Sequence, residues 1–150
     1  MNRDIHQWIS DYGVSHQNPM NKKIHWICVP LIMFTLLGLL SLVKIYNINL
    51  THLIIIFALF FYLRLSISIS VGMFIISAIQ LGIIFYMETL FLDLHLLYIY
   101  LLIFIIAWVG QFIGHKIEGQ KPSFFEDIQF LLIGPAWIIS FIYKKMGIKY

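Results

Sequence analysis

The sequence predicts an all-α protein, a polytopic bundle of about four transmembrane helices followed by a C-terminal re-entrant or interfacial helix. Three observations predict this fold class: 61% of the 150 residues are hydrophobic, only 11% are charged, and the apolar residues form runs of bilayer-spanning length. A soluble domain carries about 25% charged residues, so this chain has too little charge to cover a surface that faces water. We therefore expect residues 1–150 to form a single integral membrane domain.

The N-terminal segment does not have the pattern of a cleavable signal peptide, which would contain an apolar region and a small-residue cleavage site. Its polar side chains are instead spread along residues 1–23: Arg3, Asp4, His6, Asp11, His16, Lys22 and Lys23. We predict a short amphipathic helix here, with His6 on its polar face and Ile5, Trp8 and Tyr12 on the other face.

Four apolar runs are close to the roughly 20 residues that a bilayer crossing needs. We predict crossings at about 24–43, 45–63, 66–87 and 94–113. The second run opens on the weakly polar Tyr46-Asn47, so its helix is expected to be short. A fifth apolar stretch, about 128–143, is shorter and is expected to break at Gly134-Pro135. All are predicted to be helices, because a segment in lipid must satisfy its backbone hydrogen bonds internally.

The distribution of basic residues predicts the orientation. With four crossings, nine of the ten Lys and Arg residues lie on one side of the membrane, and only Lys44 lies on the other. The positive-inside rule makes the basic side the cytoplasm, so we expect both termini there. The expected location is a bacterial inner membrane, or the endoplasmic reticulum if the source is a eukaryote. Lipid is the expected partner, and nucleic acid is not, because no basic patch with interleaved aromatic residues occurs.

Two polar segments about 90 positions apart are predicted to meet at the cytoplasmic face. The first lies before the first crossing, and the second lies at the end of the fourth. Their candidate site residues are His16, Asn21, His25, Gln111, His115 and Glu118. This convergence predicts a metal centre at one membrane interface.

Helical spacing places the second group on one face. At 100° per residue, His115 and Glu118 lie about 60° apart and Gln111 and His115 about 40° apart. A histidine and a carboxylate at positions i and i+3 can bind one metal ion, as in di-iron helical bundles.

The first group is expected to contain a bend. His16 and His25 are nine residues apart, so they would face opposite sides of a continuous helix. We expect Asn18-Pro19 to interrupt that helix and Asn21 to cap the helix that carries His25. Both imidazoles can then converge.

Three histidines and one glutamate form a mixed nitrogen and oxygen ligand set. Imidazole suits Zn, Cu, Fe and Ni, and two histidines with one carboxylate are typical of non-haem Fe(II) oxygenases. Ligand types alone do not choose among these metals, and a single histidine at an interface also fits a plain amphipathic anchor. His52 and His95 lie near the opposite face, and we expect no metal-binding role for them.

The motifs that carry these residues resemble those of a known family. Residues 16–30, HQNPMNKKIHWICVP, look like the N-terminal motif of the membrane-bound 2-hydroxy fatty acid dioxygenases, whose fungal member serves phytosphingosine breakdown to odd-chain fatty acids and which has bacterial homologues. Residues 108–122 are similar to the second motif of that family, and residues 131–137 to its closing segment. The resemblance covers nearly the whole chain, with the motifs in the right order.

The resemblance implies an activity and a set of roles. It implies Fe²⁺-dependent α-oxidation, in which a 2-hydroxy fatty acid reacts with O₂ and loses one carbon. It implies that iron ligands are His16, His25 and His115, with Glu118 as a further ligand or a base beside the metal. Asn21 and Gln111 would then orient the ligands.

Other functions remain open at the level of sequence. A membrane haem protein could use His25 and His115 as axial ligands. Another metal-binding protein without oxygenase activity, a small transporter or a purely structural membrane protein would also fit the composition. The sequence predicts no oligomeric state.

Overall fold

The computed structural model describes residues 3–45, 48–122 and 129–150. Within these ranges the chain forms six helices and one pair of two-residue antiparallel strands, which confirms the all-α fold class. The elements in chain order are α1 (Ile5–Val14), α2 (Pro19–Ser41), β1 (Lys44–Ile45), β2 (Ile48–Asn49), α3 (Leu50–Leu65), α4 (Ile67–Leu90), α5 (Asp93–Glu118) and α6 (Phe130–Met146).

Three helices, α2, α4 and α5, are long and apolar enough to cross a membrane. The second predicted crossing, at about 45–63, corresponds to α3, which is apolar but only 16 residues long. At 1.5 Å per residue α3 spans about 24 Å, which is less than the roughly 30 Å hydrocarbon core. The predicted weak opening at Tyr46-Asn47 and the predicted start of the fifth stretch at Ile128 lie outside the described residues.

One of the two predictions about the start of α2 is corrected by the structure. The N-cap of α2 is Asn18, whose side chain accepts a hydrogen bond from the Met20 backbone N–H at 2.8 Å. Pro19 occupies the first turn, where its missing N–H costs nothing. The prediction that Asn21 caps this helix is therefore wrong. The interruption between α1 and α2 does exist, and it leaves residues 15–18 as a short connection.

The predicted break at Gly134-Pro135 is also wrong, because α6 continues through both residues. Proline removes one backbone hydrogen bond, yet the surrounding packing holds the helix together. One support is direct: the Tyr62 hydroxyl of α3 donates to the Leu132 carbonyl of α6 at 2.6 Å. Burial of one face of α6 is a second support, since Trp137 on that face is only 3% exposed.

Close packing of α2 against α5 positions two of the candidate histidines. This pair makes the most extensive helix–helix contact in the described chain. A Cβ atom added at Gly110 would lie 2.7 Å from Cys28 Sγ, and one added at Gly114 would overlap Asn21 Oδ1. Small residues of this kind let the helix backbones approach closely. The approach brings His25 on α2 opposite His115 on α5.

The predicted amphipathic helix is confirmed as α1, and it packs on α6. Its buried side chains include Ile5, Trp8 and Tyr12, while His6 is exposed. Trp8 meets Phe130 of α6 edge to face, with ring centroids 5.3 Å apart. The α1–α6 pair therefore covers the end of the bundle where α2 begins and α5 ends.

Candidate metal centre

Three histidines from three parts of the chain meet in the interior. His16 lies in the connection after α1, His25 in the second turn of α2, and His115 in the last turn of α5. Their exposed fractions are 0%, 0% and 5%. One ring nitrogen from each lies within 4.8 Å of the others. Nitrogen ligands about 2 Å from one ion lie at most about 4 Å apart, so a small inward shift of these rings would bring all three nitrogens onto one metal ion.

Backbone carbonyls fix the tautomers of two of these histidines. His16 Nδ1 donates to the Tyr12 carbonyl at 2.6 Å, and His25 Nδ1 donates to the Asn21 carbonyl at 3.0 Å. Because Nδ1 carries the proton in each ring, the lone pair is on Nε2. In metal-binding histidines the ring nitrogen that does not contact the metal usually donates such a hydrogen bond. The bond also fixes the orientation of the ring.

Two of the remaining ring nitrogens have no hydrogen-bond partner among the described protein atoms. Within the described residues, His16 Nε2 and His115 Nδ1 are buried without a hydrogen bond. His25 Nε2 and His115 Nε2 face each other at 3.2 Å. An unpaired buried polar atom costs about 1–3 kcal/mol, and a metal ion bound by the cluster removes part of that cost. The residues present therefore fit a metal.

Electrostatics keeps His16 in the form that binds metals. Burial, followed by repulsion from His25, lowers the pKa of His16 to about 3. The ring is therefore neutral at physiological pH, and metal binding does not have to displace a proton from it.

Glu118 serves as an anchor for the segment that carries His16. Its Oε1 accepts from the Gln17 backbone N–H at 2.7 Å, and its Oε2 accepts from the Asn18 N–H at 2.8 Å and from Asn21 Nδ2 at 2.9 Å. Among the described residues, the group of side chains whose ligating atoms lie within 4.8 Å contains the three histidines without Glu118. These contacts favour a positioning role over the ligand role, which stays a prediction.

Asn21 and Gln111 both lie beside the histidines. Asn21 is fully buried, and besides Glu118 its side-chain N–H group donates to the Ser15 carbonyl at 3.2 Å. Gln111 is 7% exposed and its side chain hydrogen-bonds the His25 ring. The two amides thus contact ligands or the segments that carry them.

The other three histidines lie away from this cluster. His6, His52 and His95 are exposed. The His6 ring lies 5.2 Å from the Tyr150 ring in a tilted arrangement, and the His52 ring stacks on Phe85 at 6.1 Å between centroids.

Two aromatic residues around the cluster were missed by the sequence analysis. Tyr12 stacks on His16 with ring centroids 4.2 Å apart and an interplanar angle of 13°. Trp137 of α6 lies 5.3 Å from the same ring. Tyr12 lies in the last turn of α1 and His16 two residues after its end, and their four-residue spacing could have signalled the contact, because it equals the spacing of neighbours on a helix face. The Trp137 contact depends on tertiary packing.

A largely apolar cavity of about 330 Å³ adjoins the histidines. Side chains of all helices contribute to its lining, and its polar end is formed by Tyr12, Gln111 and His115. Phe104 lies 11 residues before His115 on α5 and lines the same cavity, so the cavity runs about 16 Å along that helix. An elongated apolar molecule with one polar end fits such a space.

Comparisons with known proteins identify one matching family. The family model described as 2-hydroxy-palmitic acid dioxygenase Mpo1-like matches residues 2–146. The 2-hydroxy-palmitic acid dioxygenase MPO1 of Saccharomyces cerevisiae is 30% identical over 149 residues, which cover 96% of this chain and 82% of the yeast protein. No solved structure matches the chain.

Proposed function

Because the chain belongs to the Mpo1-like family of 2-hydroxy-palmitic acid dioxygenases, we propose that it is a non-haem Fe(II)-dependent dioxygenase that shortens 2-hydroxy fatty acids by one carbon. The observation that carries the proposal is the buried cluster of His16, His25 and His115, of which His115 lines the polar end of an apolar cavity. We further propose that residues 1–150 act as one integral membrane domain.

The three imidazoles are the proposed ligands. His16 and His25 present Nε2, because their Nδ1 atoms are committed to backbone carbonyls. When bound, Fe(II) supplies the redox chemistry that O₂ activation requires, with coordination positions left open beyond the three nitrogens. Glu118 and Asn21 hold the connection that carries His16, and Gln111 holds His25.

The cavity is the proposed binding site for the acyl chain. Its lining is apolar over most of its length, from Leu37 and Phe104 up to Val29. An acyl chain matches these apolar walls, and while it occupies the cavity it excludes water from it. The carboxylate and the 2-hydroxyl then lie at the polar end, beside Gln111 and His115.

The proposed reaction balances without an external reductant. One 2-hydroxy acid and one O₂ give a carboxylic acid shorter by one carbon, CO₂ and water. The C1–C2 bond breaks, C2 becomes the new carboxyl carbon, and C1 leaves as CO₂. These two carbons lose four electrons together, which is the number that one O₂ accepts in full reduction.

We expect the metal centre and both termini to lie on the cytoplasmic side of a bacterial inner membrane or of the endoplasmic reticulum. The basis is the nine-to-one distribution of Lys and Arg under the positive-inside rule. Reporter fusions after Lys23, Arg64 and Tyr150 should all report cytoplasm. A lumenal or periplasmic signal at Tyr150 would mean an odd number of crossings and would overturn this topology.

Product analysis tests the proposed reaction. Protein that is loaded with iron without oxygen, then given O₂, should convert 2-hydroxypalmitic acid to the acid with one carbon less. Plain palmitic acid and 3-hydroxypalmitic acid should give at least a hundredfold less product, because a displacement of about 1 Å at the reacting carbon can cost that much. Zinc-loaded protein should give none, because Zn²⁺ has no redox chemistry. Equal product with zinc, or no product with iron, would contradict the proposal.

A further inference from the structure

Within the described residues two core tyrosines, Tyr12 and Tyr100, make no hydrogen bond from the hydroxyl, and of these two only Tyr12 lines the cavity. Tyr62 donates to the Leu132 carbonyl at 2.6 Å, and Tyr143 donates to the Ser68 carbonyl at 2.7 Å. Tyr12 is 6% exposed, yet across residues 3–45, 48–122 and 129–150 the hydrogen bonds include none from its hydroxyl. Buried tyrosine hydroxyls usually find a partner, so a ligand is the natural candidate.

The ring of Tyr12 is fixed, which fixes the position of the hydroxyl. One face stacks on His16 at 4.2 Å, and the ring also contacts Trp137 at 5.5 Å and Phe130 at 5.9 Å between centroids. The side chain lines the cavity together with Gln111 and His115. A donor held rigidly in this way is pre-organised, so little conformational entropy is lost when it binds a ligand.

Gly134 provides the space for this hydroxyl. A Cβ atom added at Gly134 would lie 3.0 Å from Tyr12 Oη and 3.5 Å from Tyr12 Cζ. An alanine there would therefore press on the phenol. The absence of a side chain at Gly134, which also lines the cavity, leaves the hydroxyl accessible from it.

We propose that Tyr12 binds the polar head of the substrate, donating a hydrogen bond from its hydroxyl to the carboxylate of the 2-hydroxy fatty acid while the acyl chain fills the cavity toward Phe104. This inference rests on the proposed function for the identity of the ligand. Among the residues that line the polar end, Gln111 already hydrogen-bonds His25, whereas the Tyr12 hydroxyl is available. The hydrogen bond sets the depth at which the acid sits, and so places C2 beside the histidines.

The test compares Tyr12→Phe with Tyr143→Phe, since each removes one tyrosine hydroxyl, from a buried ring at Tyr12 and from a partly buried ring at Tyr143. Binding is measured with zinc-loaded protein in detergent, so that no turnover occurs, by displacement of a fluorescent fatty acid. Tyr12→Phe should weaken binding of 2-hydroxypalmitate about tenfold to a hundredfold, as expected for a hydrogen bond to a charged group. It should leave bound metal and binding of hexadecane, which has the chain without the head, unchanged. Tyr143→Phe should bind both ligands like the wild type.

Gly134→Ala provides a second route to the same donor. It should weaken binding of 2-hydroxypalmitate by crowding the phenol, whereas Gly82→Ala, where an added Cβ meets nothing within 4 Å, should not.

Wild-type affinity of Tyr12→Phe for 2-hydroxypalmitate overturns the inference. Equal weakening of hexadecane binding in Tyr12→Phe, or loss of metal from that variant, also overturns it. If the wild type binds 2-hydroxypalmitate in a Tyr12-dependent manner but iron-loaded protein forms no shortened acid, the inference stands and the proposed function fails.

Discussion

Replacing His25 with alanine should abolish metal binding and turnover while the protein stays folded. His25 is fully buried, its Nε2 lies 3.2 Å from that of His115, and its ring centroid lies 4.3 Å from that of His16. It is therefore the neighbour of both other histidines. Loss of a group that only hydrogen-bonds to a metal ligand lowers metal affinity about 10- to 100-fold. Loss of the ligand itself should therefore lower metal affinity by more than about 100-fold. His16→Ala and His115→Ala should give the same result.

Metal content measured per folded chain, together with formation of the shortened acid, checks this prediction. His52→Ala and His95→Ala are the matched controls, because both side chains are exposed and lie away from the cluster. Both controls should retain metal and activity. Retention of metal in His25→Ala, or an equal loss in His52→Ala, would contradict the three-histidine centre.

Replacing Glu118 with glutamine should weaken metal binding without abolishing it. The carboxylate accepts three hydrogen bonds, from Gln17, Asn18 and Asn21, across about 100 positions of sequence. Glutamine keeps the size of the side chain, but its NH₂ group would face N–H donors. The connection that carries His16 would then lose its anchor. We expect a 10- to 100-fold loss of metal affinity, as for other groups that orient ligands, and about 2 kcal/mol lower free energy of unfolding.

Titration of metal into the metal-free variant, together with thermal unfolding, measures both effects. Lys116→Gln is the control, because Lys116 is exposed two residues earlier on α5. A loss in Glu118→Gln as complete as in His25→Ala would assign Glu118 to the ligand set. Wild-type affinity and stability would show that the anchor does not matter.

Much of the helical architecture is predictable from the sequence because lipid imposes a simple rule. A helical segment in a bilayer must be apolar over a fixed length. The apolar runs that correspond to α2, α4 and α5 can therefore be predicted from the sequence. The break that places His16 outside α2 is also predictable, because proline is favoured in the first turn of a helix and disfavours a helical conformation in the residue before it. The exact cap was missed, since Asn18 and Asn21 are equally good capping residues and only the structure distinguishes them.

The parts that were not predictable depend on contacts between distant segments. The helix α6 was expected to break at Pro135, but it is continuous and packs against α1, α2 and α4. Glu118 was expected near the metal on helical spacing, and the structure turns it to the start of α2. The role of Tyr12 depends on the space left at Gly134, 122 positions away. Spacing along one helix carries no information on such contacts.

The geometry of the histidines also bears on the haem alternative. His25 Nε2 and His115 Nε2 are 3.2 Å apart, and the ring of His16 lies next to both. Two axial ligands at about 2 Å each would need a wider gap with a porphyrin ring between them. The described arrangement instead favours one small ion on three imidazoles.

Metal analysis of the protein, purified in detergent without oxygen, is the most direct test of this account. The account predicts iron, close to one ion per chain, in the wild type and its loss when His16, His25 and His115 are all replaced by alanine. The absorption spectrum of the same sample should contain no haem band. A haem band, or iron that remains in the triple variant, would contradict the central claim that the buried histidines form a non-haem iron centre.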